Sequence, residues 1–217
     1  MLKGQFTGKT LDPDGQPVTR IHPSSIDHLP VTRGITKAMA MPRSCTFSGP
    51  NGDLAFWCFY GTREHLDADF FTSFSPVSVL QIKELWIGRN YGSMMEGPWG
   101  QTADRVHGVF EVLTKVEDLT IVHCEMEPFF ATLGAAVNGG ILLPRLQSLA
   151  ISVRGGDLHD PSLVQCAKAR KEYYQPLRKV AVVWGSDPGV NAIREVESIR
   201  EFVGELVYGV GNLPKVY

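Results

Sequence analysis

The chain has 217 residues, a length that suits one large domain or one array of repeats. Apolar residues make up 43% of the sequence, which is enough for a sizeable core and argues against general disorder. The net charge of −2, from 21 basic and 23 acidic residues, excludes the strong positive field of a dedicated nucleic-acid-binding protein.

The N-terminal third is less regular than the rest of the chain. Residues 1–30 are punctuated by proline and glycine, and we predict an extended arm there. Residues 31–75 contain strand-like segments, GITKAMAM at Gly34–Met41 and DLAFWCFYG at Asp53–Gly61. The segment before the second of these also reads as a strand, joined to it by the turn GPNG at Gly49–Gly52. We expect these irregular strands to extend and cap the sheet that follows.

A repeated pattern occupies residues 76–217. The spacing apolar-x-x-apolar-x-apolar occurs in IKELWI, VEDLTI, LQSLAI, LRKVAV and, more weakly, VGELVY. These segments begin at residues 82, 116, 146, 177 and 203, which are 34, 30, 31 and 26 residues apart. A nearly constant period is more specific than any single match. The pattern is the strand signature of a leucine-rich repeat, whose last position is Asn90 in the first copy and Cys124 in the second. We expect Cys124 to be buried there.

The segments between these strands read as helices because their apolar residues are spaced by three and four. We predict helices over residues 102–114, 128–138, 161–172 and 191–203, and strands near 84–88, 118–122, 148–152 and 179–183. A strand–turn–helix unit cannot bury its apolar face alone, so neighbouring units stack. The sequence therefore predicts an α/β fold over residues 31–217, an irregular leucine-rich-repeat solenoid of four to five repeats. Its curved parallel sheet carries the helices on the convex side.

Longer segments, within about residues 29–185, carry a family resemblance. They are LPVTRGIT, SGPNGDL, VSVLQIKELWIG, VFEVLTKVEDLTIVHC, LLPRLQSLAISV and AKARKEYYQPLRKVAVVWG. In these segments the chain resembles the leucine-rich-repeat region of fungal, mushroom-type F-box-like proteins. The resemblance implies that the repeats bind a protein substrate, while an N-terminal F-box links such proteins to a ubiquitin ligase. Because no F-box is evident near the start of this sequence, only the recognition half is carried over, and not the binding of a ligase adaptor.

Three short motifs suggest chemistry, but each has a simpler interpretation. FTGKT at Phe6–Thr10 lacks one residue of the phosphate-binding loop spacing, and GSDPG at Gly185–Gly189 places its serine too early for a nucleophile elbow. His65, Asp67 and Asp69 stand at alternate positions and could hold a divalent ion from one face of an extended segment. A solvated acidic loop is the favoured interpretation of these three. We assign no catalytic residue and no cofactor.

Five basic residues lie close together near the third predicted helix: Lys168, Arg170, Lys171, Arg178 and Lys179. They could receive an acidic partner or a nucleic-acid backbone. Three of them fall at a helix end, where positive charge complements the helix dipole. Since the chain has no basic excess, the sequence favours a solvated surface, with Tyr173 and Tyr174 as a packing anchor.

The strand positions that alternate with the apolar ones give the candidate recognition surface, because they face the other side of the sheet. The candidate partner-binding residues are Glu84, Trp86, Asp118, Thr120, Ser148, Ser152 and Lys179. Trp86 lies between the apolar Leu85 and Ile87. It is either a binding anchor or a side chain covered by the N-terminal region, and the sequence leaves both interpretations open.

Two classes of function follow from the sequence. The first is a non-catalytic recognition module for an unknown protein partner, with neither nucleic acid nor membrane as a ligand. The alternative is a small-molecule-binding protein or an enzyme with a site near His65, Asp67 and Asp69. The four scattered cysteines form no CxxC pair, and there is no apolar N-terminal signal or 18-residue apolar run. We therefore expect a cytoplasmic or nuclear protein.

Overall fold

The computed structural model describes residues 33–41, 44–57, 81–88, 103–122, 126–137, 139–153 and 161–211. Several sequence predictions lie outside the described residues. These are the arm over 1–30, the FTGKT segment, His65, Asp67, Asp69, Asn90 and Cys124.

The described chain alternates strands and helices. The strands are β1 (Lys37–Met41), β2 (Ser44–Gly49), β3 (Gly52–Trp57), β4 (Glu84–Gly88), β5 (Asp118–Val122), β6 (Ala136–Val137), β7 (Gly140–Ile141), β8 (Ser148–Val153), β9 (Lys179–Trp184) and β10 (Glu205–Val210). The helices are α1 (Ala103–Val112), α2 (Glu127–Gly134), α3 (Pro161–Glu172) and α4 (Val190–Glu197), and a 3₁₀ turn covers Arg200–Phe202.

The four strands predicted from the repeat pattern are confirmed as neighbours in one sheet. Eight strands lie in the order β10-β9-β8-β5-β4-β1-β2-β3, and every pair from β10 to β1 is parallel. The strand predicted over residues 34–41 is β1, and GPNG is confirmed as the turn between the antiparallel β2 and β3. The irregular N-terminal strands therefore extend the sheet, as predicted.

Equivalent positions of the pattern lie side by side in the sheet. Leu85 is in register with Leu119, which is in register with Leu149, and the isoleucines two residues later are aligned in the same way. The backbone repeats as well: the carbonyl of Lys83 accepts N–H groups of Glu117 and Asp118 at 2.7 and 3.0 Å. The carbonyls of Glu117 and Gln147 accept the corresponding pairs from the next strands. Strands β5, β8 and β9 thus enter the sheet by the same hydrogen bonds.

One face of the sheet packs against the helices. In strands β4, β5, β8 and β9 the following side chains of this face are at most 1% exposed: Leu85, Ile87, Leu119, Ile121, Leu149, Ile151, Val180 and Val182. They share a single core with helix residues, among them Phe110, Phe130, Leu163, Cys166 and Val196. The apolar stripes predicted for the helices therefore meet the apolar strand positions, and each buried side chain of this kind contributes about 1.5–3 kcal/mol.

Two helices end earlier than the sequence predicted. Helix α2 ends at Gly134 rather than near residue 138, and the chain forms the small β6–β7 hairpin, where Gly139 has a φ of +83°. A Cβ on Gly134 would lie 2.9 Å from the Cα of Cys166 in α3, so glycine permits the close approach of α2 to α3. Helix α4 ends at Glu197 instead of continuing to residue 203, and a 3₁₀ turn follows it.

Candidate functional site

The candidate recognition residues all lie on the sheet face opposite the helices, here called the front face. The strand register arranges this face in rows. The first row, at the starts of the strands, is Lys37, Glu84, Asp118, Ser148, Lys179 and Glu205. The second row is Met39, Trp86, Thr120, Ala150, Ala181 and Val207. With about 4.8 Å between strands, each row is about 24 Å long.

The first row is polar, and ion pairs occupy its two ends. Lys37 Nζ lies 2.6 Å from Glu84 Oε2, and Lys179 Nζ lies 3.3 Å from Glu205 Oε1. Asp118 is exposed in the middle of the row. Among the described residues, it is the one carboxylate of the row without an ion pair. An exposed acid beside the hydroxyl of Ser148 can accept a cationic or amide group from a ligand.

Trp86 is half-buried on the front face, as the pleat alternation between Leu85 and Ile87 requires. Its indole Nε1–H donates a hydrogen bond of 2.9 Å to Glu84 Oε1. The indole is therefore oriented by the same carboxylate that binds Lys37. Trp86 is not among the side chains of the helix-side core. Trp86 is therefore partly covered and partly accessible, and it remains a candidate for contact with a partner.

Glu84 is the polar centre of this arrangement. Partial burial raises the pKa of its carboxyl, but hydrogen bonds from Lys37 and Trp86, together with the charge of Lys37, lower it more. The net result is a pKa below the ordinary value, so Glu84 is an anion at neutral pH. A charged acceptor holds the indole N–H more strongly than a neutral one would.

Two of the seven candidate residues are not accessible. Thr120 is 6% exposed and Ser152 is 5% exposed, although both point to the front face. Thr120 stands beside Trp86 in the second row, and Ser152 stands between Val122 and Val183. Alternation along a strand predicts the side to which a residue points, but not whether that side is covered. The candidate residues that remain at least partly accessible are therefore Glu84, Trp86, Asp118, Ser148 and Lys179.

The predicted basic surface is wrong for Arg170, which is fully buried. Its Nη1 donates to the carbonyls of Leu142 and Leu133 at 3.0 and 3.4 Å, and its Nη2 donates to the carbonyl of Leu143 at 2.9 Å. Burial lowers its pKa. The sequence contained a signal for this burial, because Arg170 continues the stripe of Leu163 and Ala167 on one side of α3.

The other members of that basic group serve separate contacts. Lys171 Nζ donates to the carbonyl of Glu201 at 2.7 Å and lies 5.6 Å from the ring centre of Phe202. Lys168 lies 4.0 Å from Glu172, within the same helix. Tyr174 is 94% exposed, so it is not a packing anchor. These residues do not converge on one binding surface.

Sequence reasoning also missed a polar network beside β10, the last described strand of the sheet. Glu197 accepts two hydrogen bonds from Arg200, at 2.7 and 2.8 Å, and one of 2.6 Å from the hydroxyl of Tyr208. The hydrogen bonds from Arg200 and Tyr208 lower the pKa of Glu197 to about 2. The i,i+3 spacing of Glu197 and Arg200 was a signal for the ion pair. Tyr208 was not predictable from spacing, because the contact depends on where β10 enters the sheet.

The comparisons with known proteins give no relative, since no family model, curated protein or solved structure matches the chain. In the described ranges, no group of three or more histidine, cysteine or acidic side chains is placed to hold a metal ion. None of the helices described here is long and apolar enough to cross a bilayer.

Proposed function

We propose that the chain is a non-catalytic protein-recognition module of the leucine-rich-repeat type, and that it binds its partner on the front face. In this proposal the stacked repeats form a solenoid similar to the substrate-binding part of fungal F-box-like proteins, in the cytoplasm or nucleus. The observation that carries it is the first row with Trp86. Six polar positions in register and one oriented, partly accessible indole form a continuous surface on the side away from the helices.

The charges of this surface indicate the chemistry of the partner. Glu84 and Asp118 are neighbours in register, and Trp86 is diagonal to Asp118 across the same strand pair. An acid next to an aromatic ring suits a lysine or arginine side chain, which can pair with the carboxylate and lie against the indole. We therefore expect the partner to present a basic residue to this part of the front face.

The test is capture of a partner with the purified chain, followed by titration of single variants. Trp86→Ala should weaken binding by about 2 kcal/mol or more, because central aromatic anchors dominate interfaces. Its cost in folding stability should stay near 1 kcal/mol, because the ring is half-buried and lies outside the main core. Asp118→Asn should also weaken binding, with an effect that decreases as salt is added.

The matched control is Tyr173→Ala, which removes an aromatic side chain, 38% exposed, from the end of α3. It should leave binding unchanged. The proposal fails if the control and Trp86→Ala weaken binding equally, or if Trp86→Ala costs about 3–5 kcal/mol of stability, the range expected for a core cavity.

A further inference from the structure

Strand β10 ends the sheet with an exposed apolar edge. Among the described strands its one neighbour is β9. Val207 is 44% exposed, Tyr208 36% and Val210 55%. The strand contains one charged residue, Glu205 at its first position, and neither lysine nor proline. Natural sheets usually protect an edge with such residues, and a long apolar edge without them tends to pair with another strand.

The hydrogen bonds to β9 determine which backbone groups of β10 face outwards. The N–H of Glu205 donates to the carbonyl of Arg178 at 2.7 Å, and the N–H of Gly211 donates to Trp184 at 2.9 Å. Because bonding direction alternates along a strand, Glu205, Val207 and Gly209 bond towards β9. Leu206, Tyr208 and Val210 then direct both their N–H and their C=O away from the sheet.

The outward residues are arranged symmetrically about Tyr208. We propose that two copies of the chain associate through β10, antiparallel, with a two-fold axis at Tyr208. Leu206 then lies opposite Val210 of the other copy, and Tyr208 lies opposite Tyr208. Each of these residues exchanges its N–H and C=O with its opposite residue, so the outward groups of all three residues are satisfied.

The charges and the apolar area of the side chains also favour self-pairing in this register. Glu205 meets Gly211 of the other copy, so no like charges oppose each other. Leu206, Tyr208 and Val210 all point to the helix side, and their cross-strand pairs cover apolar area that is now exposed. The two-fold axis is perpendicular to the sheet, so both front faces point the same way. Two eight-stranded sheets become one, and each partner-binding surface stays accessible.

The first test is sedimentation equilibrium of the full chain over a range of concentrations. A reversible monomer–dimer equilibrium is expected. Val210→Lys should weaken it about tenfold or more, because each dimer would place two ammonium groups against apolar residues. The matched control is Val190→Lys, the same change at a residue that is 72% exposed at the start of α4, and it should leave the equilibrium unchanged. A chain that remains monomeric, or a dimer that resists Val210→Lys, overturns the proposal.

The second test reports the register and does not depend on Val210. Val207 lies opposite Gly209 of the other copy as a non-hydrogen-bonded pair, with Cα atoms about 4.5 Å apart, a separation that accepts a disulfide. A side chain at Gly209 meets no atom within 4 Å. A mixture of Val207→Cys chains and Gly209→Cys chains should form more disulfide-linked dimer than either variant alone. The yield of linked dimer from the unmodified chain is subtracted in each case. Equal yields from the mixture and the separate chains would rule out this pairing.

Discussion

At the residue scale, Tyr174 has a strained backbone conformation, and its exposed side chain gains no packing in return. Its φ of 59° is left-handed, a conformation that costs a residue with a Cβ about 1–2 kcal/mol. The conformation ends α3: the N–H of Tyr174 donates to Lys171 and the N–H of Gln175 donates to Arg170, the pair of bonds of a Schellman motif. Glycine usually occupies this position, whereas here the side chain is 94% exposed.

We predict that Tyr174→Gly raises the free energy of unfolding by about 1 kcal/mol, since glycine adopts the left-handed conformation without strain. Urea denaturation measures the change. Tyr174→Ala should give no such gain, because alanine keeps the Cβ. Tyr173→Gly, one residue earlier and without a positive φ, should lower stability by about 0.5–1 kcal/mol. A loss of stability in Tyr174→Gly would mean that the exposed ring makes a stabilising contact.

The sequence predicts which side of the sheet each candidate residue faces, but not whether that residue is covered. Alternation along each strand correctly placed Glu84, Asp118 and Lys179 on the front face, because pleat geometry is local. The burial of Thr120 depends on atoms brought near it from elsewhere in the chain, so no local pattern reveals it. The carboxylate of Glu84 acquires its role from Lys37, which lies 47 positions away (84 − 37).

At the scale of elements, the strands were predictable and the helix ends were not. The strands recur with a period and have aligned apolar positions, so five of them entered the sheet in the order in which the repeats occur. Helix α2 stops where its backbone meets α3 at Gly134, and this close approach arises only when the two helices pack together. A stripe of apolar residues predicts the buried side of a helix, but its end is set by the neighbour.

Arg170 joins three of these elements. From α3 it reaches Leu133 near the end of α2, where carbonyls lack partners within the helix, and Leu142 and Leu143 after the β6–β7 hairpin. Leu143 has a positive φ of 48°, and the guanidinium holds its carbonyl. Arg170 therefore links α3 to the irregular segment after the β6–β7 hairpin. Among the described residues, no backbone hydrogen bond joins that segment to α3.

We predict that Arg170→Met lowers the free energy of unfolding by about 2–4 kcal/mol. The replacement has a similar length and fills much of the space, but it removes the donor to the carbonyls of Leu133 and Leu142, at about 1–3 kcal/mol for each unsatisfied group. The carbonyl of Leu143 keeps the N–H of Leu146 at 3.0 Å, and removal of the desolvated charge offsets part of the cost. Lys168→Met, an exposed position on the same helix, is the control and should stay within about 0.5 kcal/mol. Equal effects of the two variants in urea denaturation would show that the carbonyls find other donors.

At the scale of the whole molecule, two carboxylates with low pKa values form side-chain contacts between different elements of the fold. Glu84 in β4 binds Lys37 in β1 and so attaches the N-terminal strands to the repeats. Glu197 at the end of α4 binds Tyr208 in β10, the last described strand. Both carboxyl groups have a pKa below the ordinary value, and the unfolded chain therefore takes up protons before the folded chain does as the pH falls.

The sign of the resulting pH dependence follows from that difference. The contribution of Glu197 to stability is fully present above its ordinary pKa of 4.5, and it is lost as the pH falls towards the folded value of about 2. We predict that the urea midpoint of the unmodified chain exceeds that of Glu197→Gln at pH 7, and that the difference shrinks through this window and vanishes near pH 2. Arg200→Gln should lose the larger part of this pH dependence, because Arg200 makes the largest contribution to the low pKa while Tyr208 still donates to Glu197. Glu201→Gln, an exposed neighbour in the 3₁₀ turn, is the control and should run parallel to the unmodified chain. If Glu197→Gln also runs parallel from pH 7 to pH 2, the carboxylate does not hold β10 against α4, and the edge strand is anchored by its pairing with β9 and the contact of Tyr208 with Trp184.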